Sequence, residues 1–170
     1  MIRVSLTNAF SKRTLKPLLE KHQATPLGIN LLSTVTDDIY SGYAAALTTE
    51  AGGTTGVVRP FSDADGDTEV FGLFALDKNA VINDLDGQPA DLKPFAVWQG
   101  GPDAYFRIDT PAWAVDGGTV AVGAYLTASS AVKGLLVPSD GANTVGPNVA
   151  EITEVVSSDR LVVRLSAPAV

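Results

Sequence analysis

Along residues 31–170 the apolar positions fall in short runs, each closed by a turn signal before it could build a long helix. Tyr105–Thr110 alternates, with Phe106 and Ile108 on one side and Arg107 and Asp109 on the other. That period of two is the mark of a half-buried strand. Thr119–Leu126 reads the same way, with Val120, Val122 and Leu126 together. Val70–Leu76 and Phe95–Trp98 are apolar without alternation, as in strands covered on both faces. Val149–Val156 and Leu161–Leu165 bracket Ser157-Ser-Asp-Arg160, which predicts a hairpin with a four-residue loop. Pairs such as Asp37-Asp38, Gly52-Gly53, Asp65-Gly66, Gly117-Gly118 and Asp140-Gly141 punctuate the runs. The spacing predicts a mainly β fold, a small β-barrel or β-sandwich.

The first thirty residues have a different pattern. Thr14–His22 predicts a short helix, with Thr14 as N-cap, Pro17 in the first turn, and Leu15, Leu18 and Leu19 on one face. Two helical turns are marginal in water, so this piece calls for a partner surface. Pro26 and Gly28 then break any helix, and Ile29, Leu31 and Leu32 look like the start of the body. The expected organisation is an N-terminal arm, extended or short-helical, over residues 1–30 and a single β-rich domain over residues 31–170.

Charge sharpens that division. The chain has 170 residues and a net charge of −7. Residues 1–30 hold Arg3, Lys12, Arg13, Lys16 and Lys21 against Glu20, a balance of +4. Residues 31–170 hold seven basic and eighteen acidic residues, a balance of −11. An acidic body repels phosphate, so nucleic acid is not an expected partner. The basic segment is either a frayed terminus or an arm that reaches an acidic protein surface or nucleic acid. The apolar fraction of 45% and sixteen glycines fit a folded, turn-rich chain. Cysteine is absent, which removes disulfides and thiolate metal sites. No run approaches the ~18 apolar residues of a membrane helix, and the N-terminus does not read as a secretion signal. A membrane is therefore not an expected partner, and the chain is expected to stay in the cytoplasm until something carries it out.

The candidate chemistry is sparse. His22 is the only histidine and lies beside Lys21 in the polar arm, without the partners a triad or metal site needs. Asp63, Asp65, Asp67 and Glu69 form the densest carboxylate cluster. Counted from Asp63, the positions an EF-hand gives to Gly and Glu hold Thr68 and Phe74, so a solvated acidic turn is the better reading. Gly52–Gly56 lacks the Gly-Lys-Ser/Thr of a phosphate loop. Nothing selects a carboxylate pair for glycoside hydrolysis. Trp98, Trp113 and Tyr105 are either core aromatics near a tight loop or a stacking platform for a sugar or a subunit. No catalytic residue, cofactor or metal is expected.

Three stretches resemble head decoration, or capsid cement, proteins of tailed double-stranded DNA bacteriophages. They are Leu6–His22, Gly100–Phe106, and the ending Val149-Ala-Glu-Ile-Thr-Glu-Val-Val-Ser-Ser-Asp-Arg-Leu-Val-Val-Arg-Leu165. The resemblance implies a small β-barrel or sandwich, assembled in the host cytoplasm and carried on the outer capsid surface of the virion. It implies a homotrimer at three-fold and quasi-three-fold positions, clamping neighbouring major capsid subunits. Arg3, Lys12, Arg13, Leu15, Lys16, Leu18 and Leu19 would then be the arm's contacts with the capsid or a neighbouring copy. The readings set beside it are a phage tail or other virion β-protein, a carbohydrate-binding module using Trp98, Trp113 and Tyr105, and, last, an enzyme.

Overall fold

In the computed structural model residues 14–18, 26–75, 94–100 and 104–166 are described. Their short apolar runs become β1 (Leu15–Pro17), β2 (Leu27–Asn30), β3 (Ala44–Thr49), β4 (Gly56–Pro60), β5 (Gly72–Phe74) and β6 (Pro94–Trp98). Then follow β7 (Tyr105–Asp109), β8 (Tyr125–Ser129), β9 (Leu136–Pro138), β10 (Thr144–Ser157) and β11 (Arg160–Leu165). Among the described residues the single helical element is one 3-10 turn, Asp63–Asp65.

The strands form two antiparallel sheets. One has the order β1-β7-β11-β10-β8-β9, the other β2-β6-β5-β3-β4. Neither closes, so of the two expected architectures this is the sandwich and not the barrel. The smaller sheet curls: Leu31, just past β2, makes a parallel bridge to Val58 of β4, and Leu32 N donates to Val58 O at 2.8 Å. The core lies between the sheets. Trp98 of β6 meets Phe106 of β7 with ring centroids 5.3 Å apart, and Phe74 stands edge-on to Phe95 at the same separation. Gly134 ties the sheets at one end, accepting from Ala44 N at 2.7 Å and donating to Phe61 O at 2.9 Å.

The β7 alternation holds: Phe106 and Ile108 are fully buried, and Arg107 and Asp109 face outward. In β5 no side chain larger than hydrogen fits at Gly72, where a Cβ would stand 2.3 Å from Trp98 O. In β10 the ladder to β8 jumps between Val145 and Ala150, and the extra residues bulge outward. The hydroxyl of Thr127 sits against the bulge, 2.7 Å from Val145 O and 2.9 Å from Pro147 O.

Three sequence expectations change. Thr14 begins no helix: Leu15–Pro17 is a strand on β7, with Leu15 opposite Ile108 and 1% exposed. The Thr14 hydroxyl, expected to cap a helix, donates instead to the Ser41 carbonyl. A buried site for Leu15 outweighs a two-turn helix with little to hold it. Thr119–Leu126 is not one strand. Asp116, Gly117 and Gly123 have positive φ, Ala124 N bonds Ala121 O, and the strand starts only at Tyr125. Val122, expected to share a face with Leu126, is 69% exposed. The closing hairpin is tighter than four residues: Ser157 pairs with Arg160, leaving Ser158 and Asp159 as its loop.

Most sheet edges are closed to further pairing. On β1, Asp109 N donates to Thr14 O and Leu18 N donates to Tyr105 O, which turns the Leu15 and Pro17 nitrogens outward. Leu15 N is taken by Ser41 Oγ at 3.1 Å, and Pro17 has no N–H. On β9 the outward groups of Leu136 bond Ala112 O and Ala114 N, and Pro138 again lacks a donor. On β4 Leu32 takes Val58 O, and Pro60 ends the strand.

Candidate functional surface

The outer face of the six-stranded sheet follows from its alternation. Inward go Phe106, Ile108, Leu161, Val163, Ala150 and Ile152, all fully buried. Outward go the residues between them, and the register sets them in rows. Lys16 lies opposite Arg107, and Arg107 opposite Val162. Tyr105 lies opposite Arg164, Arg164 opposite Glu151, and Glu151 opposite Tyr125. Asp109 lies opposite Arg160.

Two ion pairs cross these rows. Arg160 Nε donates to Asp109 Oδ1 at 2.8 Å, and Arg164 donates to Glu151. The hydrogen bond and charge of each carboxylate raise the guanidinium pKa above its ordinary value. Arg107 is left with less: its guanidinium lies 3.6 Å from Asp109 Oδ2, and its Nε–H has no hydrogen-bond partner. Val155 and Val156, 41% and 47% exposed, add apolar surface at the hairpin end of the sheet. Val122 follows one residue before Gly123, which donates to Ile152 O, so it lies by the same end.

The acidic turn is built differently. Arg59 binds Asp67 Oδ1 at 2.7 Å and Asp65 O at 3.0 Å, Ser62 N donates to Asp67 Oδ2 at 2.9 Å, and Lys133 reaches Asp65 Oδ2 at 2.8 Å. The hydrogen bond from Lys133 holds the Asp65 carboxyl below the usual aspartate range. The turn is therefore not simply solvated. It is a charged latch between β4 and the loop after β8, with two of its four carboxylates, Asp65 and Asp67, spent on cations of the same chain. Among the described residues no group of His, Cys, Asp and Glu is placed to hold a metal ion.

A cleft of about 190 Å3 lies where Phe71 and Gly72 approach Pro147 and Leu165. Among the described residues Glu69 is the single ionisable group lining it, and they form no acid–base pair there.

The residues singled out from the sequence scatter. Leu15 is in the core and presents no side chain to a partner. Its burial removes it from the arm's contact set, because the strand pairing that seats β1 points it inward. Lys16 and Leu18 are half-buried at the sheet edge. Arg3, Lys12, Arg13, Leu19 and His22 lie outside the described residues. Trp98 and Trp113 are 7% and 2% exposed, which makes them core aromatics and removes both from any stacking platform. Tyr105 is half-buried on the outer face. Sequence reasoning passed over Arg107, Arg160, Arg164 and Tyr125. The alternation of β7 carried the signal for Arg107, but which strands flank β7 is not written locally.

The model of the phage cement protein family matches residues 1–170. The chain belongs to the phage cement protein family. No curated protein and no solved structure matches it. A cement protein is a structural component that stabilises the capsid, and its place is the virion. The family is not a class of enzymes. No helix among the described residues is long and apolar enough to cross a membrane.

Proposed function

We propose that this cement protein binds the outer surface of the phage head at three-fold and quasi-three-fold positions, as a homotrimer, and clamps neighbouring major capsid subunits together. The observation that carries the reading is the family match over the whole chain. The architecture supports it: a two-sheet body with a packed aromatic core, mostly closed edges and one charged open face is a spacer to dock, not a reaction vessel. Many copies on one head raise the total stabilisation even where each contact is modest. The basic residues Arg3, Lys12 and Arg13 are the arm of this proposal, reaching the capsid or a neighbouring copy.

The trimer rests on the family resemblance and not on strand edges, since Pro17, Pro60 and Pro138 leave little edge for copies to share. The carbohydrate reading loses its support with the burial of Trp98 and Trp113. Co-sedimentation with expanded heads that lack the protein tests the proposal. Saturable binding that raises the temperature at which heads release DNA is expected. Failure to bind such heads overturns it, and a reconstruction with copies away from every local three-fold axis overturns the placement.

A further inference from the structure

The outer face of the six-stranded sheet is divided along its strand order. Over β10 it carries the carboxylates Glu151 and Glu154. Over β1, β7 and β11 it carries Lys16, Arg107, Arg160 and Arg164 against the one carboxylate of Asp109. The rest of the described residues hold two basic side chains, Arg59 and Lys133, and nine acidic ones outside the β10–β11 hairpin. Residues 1–13, which lead into β1, contain Arg3, Lys12 and Arg13 and no acid. One half of one sheet face is thus the cationic side of an acidic protein.

We infer that this β1–β7–β11 half-face is the docking surface, and that its occupant is an acidic patch of the major capsid protein. The inference rests on the capsid reading above and names the side of the molecule that meets the head. Charge favours it, because an acidic body is repelled by an acidic partner in every orientation but this one. The register favours it too. Lys16 sits directly across from Arg107, which sets two cationic side chains beside each other on the outer face. A partner carboxylate placed there is attracted by both. Arg107 keeps its side chain 31% exposed, with Asp109 no nearer than 3.6 Å, and a guanidinium fork suits a carboxylate. Beside it Tyr105 offers amphipathic contact area of the kind that dominates interfaces.

A second copy is a poorer occupant. The densest acids it could offer are in the Asp63–Glu69 turn, and Arg59 and Lys133 already hold Asp65 and Asp67. Duplex DNA is opposed by the net charge of −7.

The test is binding of the full chain to heads lacking it, for wild type, Lys16→Glu/Arg107→Glu, Arg107→Gln and, as a control on the acidic turn, Lys133→Gln. Circular dichroism checks each fold. The double reversal is expected to weaken binding at least ~10-fold, about 1.4 kcal/mol. Arg107→Gln should weaken it several-fold, and Lys133→Gln should leave it unchanged. If the double variant does not fold, Arg107→Gln decides. A folded Arg107→Gln or double variant that binds heads like wild type overturns the inference. So does a wild-type oligomer that Arg107→Gln dissociates while head binding is kept, which makes the face a contact between copies. So does a fluorescent duplex that binds wild type and not Arg107→Gln while heads do not distinguish them. If wild type itself ignores the heads, the capsid reading fails first.

Discussion

The two sheets solve burial in opposite ways. The six-stranded sheet is open over β7, β11 and β10: one face there is core and the other faces outward, as the alternation of β7 shows. The five-stranded sheet curls on itself, and consecutive residues are buried: Ala44, Ala45 and Ala46 in β3, all of β5, Val57 and Val58 in β4. Strands covered on both faces have little room for charge, and Arg59 of β4 is spent on Asp67, so they lend the molecule rigidity and little surface chemistry. The open sheet, with a face to spare, carries Lys16, Arg107, Arg160 and Arg164. In this cement protein the enclosed sheet stiffens, and the open one has the surface to recognise a partner.

Substitutions can break this contrast. The largest effect is expected inside the curled sheet. Gly72→Val drives a side chain into the Trp98 backbone, which cannot rotate away. A loss above ~4 kcal/mol is expected, seen as unfolding at ambient temperature. A melting point near that of wild type would show that β5 and β6 can separate freely.

Next comes the open sheet's inner face. Leu15→Ala removes a side chain 1% exposed and should cost ~2–4 kcal/mol in urea unfolding. An effect under ~0.5 kcal/mol would mean that β1 is an arm after all, and not part of the body.

Truncation sharpens the same point. Deleting residues 1–13 should leave the melting point unchanged and weaken head binding ~10-fold, about 1.4 kcal/mol. Deleting residues 1–25 removes β1 and should also destabilise the body. Equal melting points for the two truncations would return the domain boundary to residue 30.

The smallest effect belongs to the latch on the curled sheet. The Asp65 pKa is lowered by Lys133, so its contribution is full above the unfolded aspartate range near pH 4 and is lost as pH falls through the folded value. The Lys133 pKa is raised by Asp65, so its share is lost as pH rises through the folded value, above ~10. Both groups are solvent-screened, so the pair is worth less than ~1 kcal/mol. Lys133→Gln should therefore lower the melting point slightly at pH 7 and not at all at pH 2. A difference that persists at pH 2 would assign the effect to packing.

The sequence reading succeeded where one strand's own pattern decides. The alternation of Tyr105–Asp109, the apolar run at Phe95 and the closing hairpin were all legible, because the side-chain period is local and one face of each was committed to core. The turn pairs and the short runs between them were enough for an all-β chain. What the sequence could not decide is where segments go. Ala44–Ala46 and Leu136–Pro138 carry no periodic signal, since burial on both faces erases it. Leu15–Pro17 looked helical because local propensity was all there was to weigh, and pairing with β7 outweighed it. Val122 looked buried until positive-φ residues broke the strand before Tyr125. The charged half-face depends on the neighbour order β1-β7-β11, which brings Lys16, Arg107 and Arg164 together from across the chain. Composition fixed that charge was segregated; only long-range strand pairing decided which face received it.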